Sequence, residues 1–392
     1  MIPRSLPGPN LQVAGLFAGI GGIERGLAQA GHHTELLCEV ASSAQRVLGQ
    51  RFPDVELASD IRALDCLPDV DLVTAGFPCQ DLSQAGRTAG IGGEQSGLVA
   101  EVFRLLGDSG GPTWLLLENV PFMLSLHRGK AMQFLVESLE QRGYMWAYRV
   151  VDALSFGLPQ RRRRVLLLAS RTEDPRTVLF SQDAGIPTPR HPVDAACGFY
   201  WTEGQRGLGW AADAVPTLKG GSTIGIASPP AIWFPDTGLI ATPDIRDAER
   251  LQGFPADWTM SGDDEDGRAR TNRWKLVGNA VSVSLARWLG HRLRSPEPFT
   301  ASSTRLQSGN PWPVAAWGKS GEAWQTDVSM WPVRRQRHHL REFLRYPTVP
   351  LSARATQGFL SRAEAGSLRF PPDFLEDVAA HLERMTGRAQ VA

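Results

Sequence analysis

An ionised cysteine is among the strongest side-chain nucleophiles, and a carboxylic acid is a common proton donor to the ring or carbonyl it attacks. The sequence offers one of each at the end of an apolar run. Residues 71–75 (DLVTA) read as a short buried strand bounded by Gly76 and Pro78, which delivers Cys79 at its carboxyl end. Residues 114–117 (WLLL) read as a second buried strand, ending in Glu118-Asn119-Val120. Open α/β sheets bind ligands outside the carboxyl ends of their strands, so Cys79 and Glu118 are expected on one rim of one sheet. Further on, Gln160-Arg161-Arg162-Arg163-Arg164 precedes a third apolar run, and strand alternation groups Gln160, Arg162 and Arg164 on one face. A guanidinium close to a thiol favours the thiolate. Each residue alone has a plainer explanation: a small buried hydrophobe for the cysteine, loop-amide pairing for the acid, a solvated basic patch for the arginines.

The elements that must position these groups are legible upstream. Residues 11–17 (LQVAGLF) read as a first strand, followed by the glycine turn Ala18-Gly19-Ile20-Gly21-Gly22 and a helix with Ile23, Leu27 and Ala30 on one face. A second strand over 34–38 leads to Glu39, twenty residues past Gly19. Strand, glycine turn, helix, strand and acid make the nucleotide-binding half of a Rossmann-like fold, with the acid placed to accept from ribose hydroxyls. The turn is GxGG and not GxGxxG, which disfavours a dinucleotide. Asp60 is placed either to accept from an adenine amino group or to cap a local turn. The glycine-rich segment to about residue 96 suits a loop that closes over substrate, and it lacks the Gly-Lys-Ser/Thr of a phosphate-binding Walker loop. Helices are expected over 41–51, 97–106 and 130–142, and strands over 144–151 and 164–169.

The chain has 392 residues, 42% of them apolar and 21% charged, enough for two or three domains. Composition divides it into 1–172, a loop-rich module over 173–242 with short strands at best, a return of regular structure over 243–294, and a C-terminal extension over 295–392. Within these, regular structure returns over 246–254, and about 274–293 reads as one helix. A Pro/Ser/Thr stretch over 295–313 reads as a linker to a segment carrying Trp312, Trp317, Trp324 and Trp331, a basic run at 334–339 and a helix over 373–386. The four cysteines lie far apart in no disulfide or metal-ligand spacing, pointing to a reducing cytoplasm and no metal. No export signal and no membrane-spanning run is read. Net charge is zero, yet residues 268–392 carry 19 Lys/Arg against 9 Asp/Glu, which suggests a face that meets a polyanion or an ordinary solvated tail.

In this order the motifs resemble those of the DNA cytosine-5 methyltransferases over about residues 11–290. LFAGIGG (16–22), Glu39 and Asp60-Ile61 resemble the cofactor loop and its ribose and adenine contacts. GFPCQDLS (76–83) resembles the Pro-Cys motif, SGLVAEVFRLL (96–106) the helix after it, ENV (118–120) the acid motif and QRRRR (160–164) the Gln-x-Arg-x-Arg motif. RDAERLQGFP (246–255) and VGNAV (277–281) resemble the closing motifs, the last of which packs back against the first. The resemblance implies a doubly wound α/β catalytic domain, a small target-recognition domain and S-adenosyl-L-methionine as methyl donor. It further implies duplex DNA with a flipped cytosine as substrate, in a restriction-modification or defence setting where the extension meets DNA or partner proteins. It assigns catalysis to Cys79, Glu118, Arg162 and Arg164. Cofactor contacts fall to Phe17, Gly19, Gly21, Gly22, Glu39, Asp60, Ile61, Pro78, Leu98 and Asn279, the last near the cofactor or bracing the Pro-Cys loop. Gln80, Ser83 and Arg87 fall at the DNA. Two departures stand out: Val40 where a Trp commonly follows the ribose acid, and Ser282 where Pro often ends the last motif. A tRNA-methylating branch shares the same motifs, and a non-catalytic DNA-binding scaffold is the rival from another class.

Overall fold

The computed structural model describes residues 8–78, 97–107, 110–188, 192, 194–220, 227–260, 269–307 and 309–391, the side chains of 269, 270 and 388–391 excepted. In chain order the elements that matter are β1 (Gln12–Leu16), α1 (Gly22–Gln29), β2 (His33–Cys38), α2 (Ser42–Arg51), β3 (Glu56–Ala58), β4 (Leu72–Ala75) and α3 (Leu98–Leu106). There follow β5 (Trp114–Asn119), α4 (Lys130–Gln141), β6 (Met145–Asp152), β7 (Gln160–Arg161) and β8 (Arg163–Ser170). Then come β9 (Cys197–Phe199), β10 (Ala211–Ala212), β11 (Val215–Pro216), β12 (Ala231–Phe234), β13 (Leu239–Thr242), α5 (Ile245–Leu251), α6 (Ala269–Asn279) and α7 (Val283–Arg294). The last are β14 (Ser303–Arg305), β15 (Ala315–Lys319), β16 (Glu322–Thr326), β17 (Val349–Pro350), α8 (Ala353–Glu364) and α9 (Phe374–Val391).

The chain forms two compact units, both assembled from separated segments. One comprises Met1–Ser155, Arg163–Ile186 and Val281–Arg334, the other Phe156–Arg162, Pro187–Ala280 and Arg335–Ala392.

The first unit is built on a sheet of order β14-β16-β15-β6-β8-β5-β4-β1-β2-β3. Its β5-β4-β1-β2-β3 half is parallel, with the switch point between β1 and β4, where open α/β sheets bind ligands. β4 and β5 are buried at every position, which is why they read as unbroken apolar runs and not as alternating ones. Helices cover the parallel strands, and α1 packs closely on α7: a Cβ on Gly26 would lie 2.5 Å from the Ala286 Cβ, and one on Gly290 2.7 Å from the Ala30 Cβ. The doubly wound architecture is as expected, and the sheet is larger than expected.

The additional strands come from the segment read as a linker and extension. Residues 295–334 do not stand apart: β15 pairs antiparallel with β6, and β16 and β14 continue the sheet beyond it. Trp312 donates from Nε1 to the Gly129 carbonyl at 3.0 Å and sets its ring edgewise on Trp146 and Tyr148, contacts worth about 0.5–1.5 kcal/mol each beyond burial. Arg149, fully buried, donates to the carbonyls of Ser329, Leu179 and Gln182 and to the Asp183 carboxylate. Burial lowers its pKa to about 10 while Asp183 opposes the fall. Removing that cation would strand three carbonyls and an acid, so it ties the segment into the core.

In the second unit the strands over 173–242 are short, two to four residues each, and residues from the C-terminal segment complete their sheet. β10-β9-β12-β13-β17 form an antiparallel sheet, whose last strand and covering helices α8 and α9 come from residues 335–391. Phe199 from β9 packs at a tilt on Phe359 of α8 and edge-to-face on Phe374 of α9, with ring centroids 5.1 Å apart in both pairs. Asp213 anchors the returning chain by accepting from Arg337, His339 and the Leu340 amide.

The helix expected to be continuous over 274–293 is two helices, α6 and α7, broken at 280–282. The break has a chemical cause. The carbonyls of Gly278 and Ala280 accept from Arg162 Nη2 at 3.3 and 2.6 Å, which satisfies a helix end that would otherwise continue.

Candidate active site

The glycine turn is shaped by left-handed backbone at Phe17 (φ 54°), Gly19 (φ 58°) and Gly21 (φ 78°). The three positions differ in their surroundings. A Cβ on Gly19 would meet nothing within 4 Å, whereas one on Gly21 would lie 2.3 Å from the Phe52 ring. Gly19 therefore leaves open space above the turn, and Gly21 is a packing requirement. Gly22 begins α1 and is buried.

Glu39 stands at the end of β2 and bridges the turn to the next helix. Its Oε2 accepts from the Gly19 amide and its Oε1 from the Ala41 amide, both at 2.8 Å. Val40 beside it is 66% exposed, an apolar side chain with no cover at a strand end. Asp60 caps the one-turn helix after β3 by accepting from the Arg62 amide and pairs with the Arg62 side chain at 2.8 Å. Those contacts hold its carboxylate below the usual range. Ile61 is buried in the core, and Leu98 packs against that core at the start of α3.

Glu118 lies at the carboxyl end of β5, 7% exposed. Arg164 Nε sits 2.8 Å from its Oε1, yet no donor among the described residues is aligned with that oxygen as a hydrogen bond. The pair is therefore coulombic, and Oε1 keeps the capacity to accept from an incoming group. The other oxygen, Oε2, lies 3.7 Å from where a Gly76 Cβ would stand. Gly76, Phe77 and Pro78 follow β4, and Cys79 comes next in sequence. Asn119, for which the sequence pattern suggests no role of its own, donates from Nδ2 to the Phe77 carbonyl at 3.0 Å and accepts the Val120 amide. It fastens the acid's strand to the segment after β4, and its place directly after the acid was the available signal. Pro78 is exposed. Cys79, Gln80, Ser83 and Arg87 lie outside the described residues.

The alternation expected over 160–164 is present: Gln160, Arg162 and Arg164 are buried, Arg161 and Arg163 exposed. Arg164 pairs with Glu118 within the first unit. Arg162, in the second unit, spends its guanidinium on the carbonyls of Leu218, Gly278 and Ala280. Gln160 joins the same hub, donating to the Leu251 carbonyl and accepting the Leu218 amide, and Gln252 donates to Val277. Asn279 is exposed in the second unit, and its Oδ1 would lie 2.3 Å from a Cβ on Gly220. That contact is with the 218–220 segment of the same unit.

A further acid is invisible to sequence pattern. Glu24, in the first turn of α1, is 1% exposed and accepts from the Thr74 hydroxyl at 3.2 Å. Its Oε1 fills the place of a side chain on Gly15, where a Cβ would come within 2.3 Å. Desolvation raises its pKa to about 7. Nothing in the helical pattern distinguishes it from a surface glutamate.

A switch-point sheet with a glycine turn, an acid on each of two successive strand ends and a buried acid at the end of β5 suits a Rossmann-like group-transfer enzyme. A family model for C-5 cytosine-specific DNA methylases matches residues 11–194. The chain is 51% identical to the type II methyltransferase M2.BsuMI of Bacillus subtilis (strain 168), over 90% of this chain and 93% of that protein. It is 26% identical to M.DsaV of Dactylococcopsis salina over 73% and 86% of the two chains. The fold is that of solved methyltransferases: S. pombe Dnmt2 superposes with a TM-score of 0.53 at 17% identity, covering 71% of this chain and 97% of that one. The chain belongs to the C-5 cytosine-specific DNA methylase family and is a DNA cytosine-5 methyltransferase.

Membership implies S-adenosyl-L-methionine as the methyl donor, and the first unit has features that suit it. Gly19 leaves room above the turn, while Glu39 and Asp60 present carboxylates at neighbouring strand ends. Val40 offers an uncovered apolar surface between them in sequence. Among the described residues no cluster of His, Cys, Asp or Glu could hold a metal, and no helix is long and apolar enough to cross a membrane.

Proposed function

We propose that this protein methylates carbon 5 of a cytosine extruded from duplex DNA within one short sequence, as the modification partner of a restriction enzyme. The observation that carries the reading is the buried Glu118 carboxylate, with Arg164 at one oxygen and Gly76, three residues before Cys79, at the other. The type II methyltransferases that the chain resembles support the restriction-modification setting.

In this reading the Cys79 thiolate adds to carbon 6 of the ring, and the electron pair of the 5,6 double bond moves toward carbon 5 and nitrogen 3. Glu118 holds a proton at nitrogen 3 and so offsets the charge that develops, a contribution of about 10²–10⁴ in rate. Arg164 fixes the Glu118 carboxylate and adds positive charge beside the exocyclic oxygen. When bound, the cofactor supplies an electrophilic methyl on a sulfonium. Phe17, Gly19, Gly21, Gly22, Glu39, Asp60, Ile61, Pro78 and Leu98 would hold it, with Val40 against the adenine. The proton on carbon 5 leaves to water, and β-elimination returns the Cys79 thiolate. Arg162 acts as a positioning residue through the 218–220 segment, and Asn279 acts with it. The buried carbon 6 requires the base to leave the stack, with Gln80, Ser83 and Arg87 at the DNA.

Bisulfite sequencing of DNA from an expressing host should show one methylated word, and DNA carrying 5-fluorocytosine in that word should trap the wild-type protein covalently. Cys79→Ser should form no adduct. A Cys79→Ser protein that methylates at the wild-type rate, or equal transfer to tRNA and duplex DNA, would overturn the assignment.

A further inference from the structure

A cavity of about 620 Å³ opens in the first unit between the segment after the acid motif and the tail strands. One wall is Pro121, Leu124 and Gly129, the other Trp312 and Val314, with Arg128 and Arg163 also lining it. It lies on the rim that carries Glu118. Val150, at its floor, pairs with Val165, and Val165 pairs with Asn119, so the floor is two strands, about 10 Å, from the acid's strand end. A cavity of this size accommodates a nucleotide unit.

Charge decides what it receives. Two arginines and no acid line it. Arg128 is exposed and has no carboxylate within ion-pair distance among the described residues, and Arg163 reaches Asp152 only at a long 3.4 Å. The adjoining cavity of about 770 Å³, which Arg128 also lines, differs in that Glu137, Glu140 and Glu322 line it as well. His127 and Arg128, neither a glycine, both adopt left-handed φ (51° and 58°) before Gly129 (φ 86°). Such backbone is costly, and here it turns the chain where Arg128 meets the cavity. Trp312, held by its hydrogen bond to Gly129, completes an apolar wall suited to a deoxyribose or base face.

We propose that this cavity binds a sugar–phosphate unit of the DNA strand flanking the extruded cytosine, with Arg128 and Arg163 on the phosphate. The proposal rests on the DNA-methylating function and adds a DNA subsite that the tail segment 309–314 completes. It assigns the tail a substrate role through one built site, in place of a general basic character.

The test is the Arg128→Ala/Arg163→Ala double variant of the full chain, both positions being exposed and outside the reaction machinery. Binding to a duplex carrying the word found by bisulfite sequencing is measured against salt. The slope of log K against log salt should fall by about 0.9 for each phosphate that the variant no longer neutralises, KM for DNA should rise about tenfold, and kcat at saturating DNA should hold. A scan of single neutral methylphosphonate linkages should find one flanking position that weakens the wild type and leaves the double variant unaffected. An unchanged slope, or no such position, overturns the inference and leaves the cavity to a protein partner. Adduct formation by the wild type on 5-fluorocytosine DNA separates that result from failure of the catalytic reading.

Discussion

Arg164 Nε stands 2.8 Å from Glu118 Oε1 across neighbouring antiparallel strands, both side chains almost fully buried. Breaking such a pair from one side leaves a charge without compensation, typically at a cost of about 3–5 kcal/mol. Arg164→Met should lose stability on that scale in urea unfolding. Glu118→Gln should instead lower single-turnover methyl transfer by about 10²–10⁴. A Glu118→Gln enzyme within threefold of wild type would remove the acid from the mechanism.

The two glycines of the cofactor turn should separate stability from binding. At Gly19 an alanine meets no atom within 4 Å and bears only the left-handed backbone cost, about 1–2 kcal/mol. Gly19→Ala should therefore fold well yet bind S-adenosylmethionine weakly. Gly21→Ala drives a methyl into Phe52 and should lose more stability than Gly19→Ala. Thermal unfolding beside calorimetric titration of the cofactor distinguishes them. Equal cofactor affinity for Gly19→Ala and wild type would mean the open space is not the cofactor's.

Glu24 gives the fold a pH dependence. Its folded value of about 7 exceeds the ordinary 4.5, so between them the folded protein retains a proton that the unfolded chain has released. Stability is therefore full below pH 4.5 and declines as pH rises toward 7, by about 3 kcal/mol from this residue. Glu24→Gln should flatten that part of the profile in denaturant unfolding. If wild type and variant fall in parallel, Glu24 titrates as a surface acid.

Thiol reactivity follows burial. Burial pushes Cys38 and Cys197 up to about 11, while Cys66 is exposed. Iodoacetamide at pH 8 should label Cys66 in the native protein and spare the other two, as peptide mass mapping would show. Labelling of Cys38 at the Cys66 rate would mean that β2 opens in solution.

Arg162 should behave as a brace. Arg162→Met removes the donor from the Leu218 and Gly278 carbonyls, each worth about 1–3 kcal/mol if it stays buried and unpaired, and leaves Ala280 only a long bond from Gln252. The expected phenotype is lower stability with KM for DNA raised more than kcat is lowered. A loss confined to kcat would return Arg162 to the base itself.

Local pattern alone determined the catalytic sheet and its motifs. Leu72–Ala75 and Trp114–Asn119 are apolar because both faces are covered, and the glycine turn after Leu16 is a steric demand that the chain states within six residues. The position of Glu118 follows, because the apolar run ends at it and a strand's end is where side chains reach a ligand. Tertiary structure decided what depends on partners far along the chain. Phe199 needs Phe359 and Phe374 to make a core, so residues 173–242 looked loop-rich by themselves. Glu24 is buried only because Gly15 and Thr74 stand beneath it, and Arg162 interrupts a helix whose carbonyls lie more than a hundred residues away. Periodicity records which face of an element is covered, whereas the identity of the covering residues is a property of the folded chain.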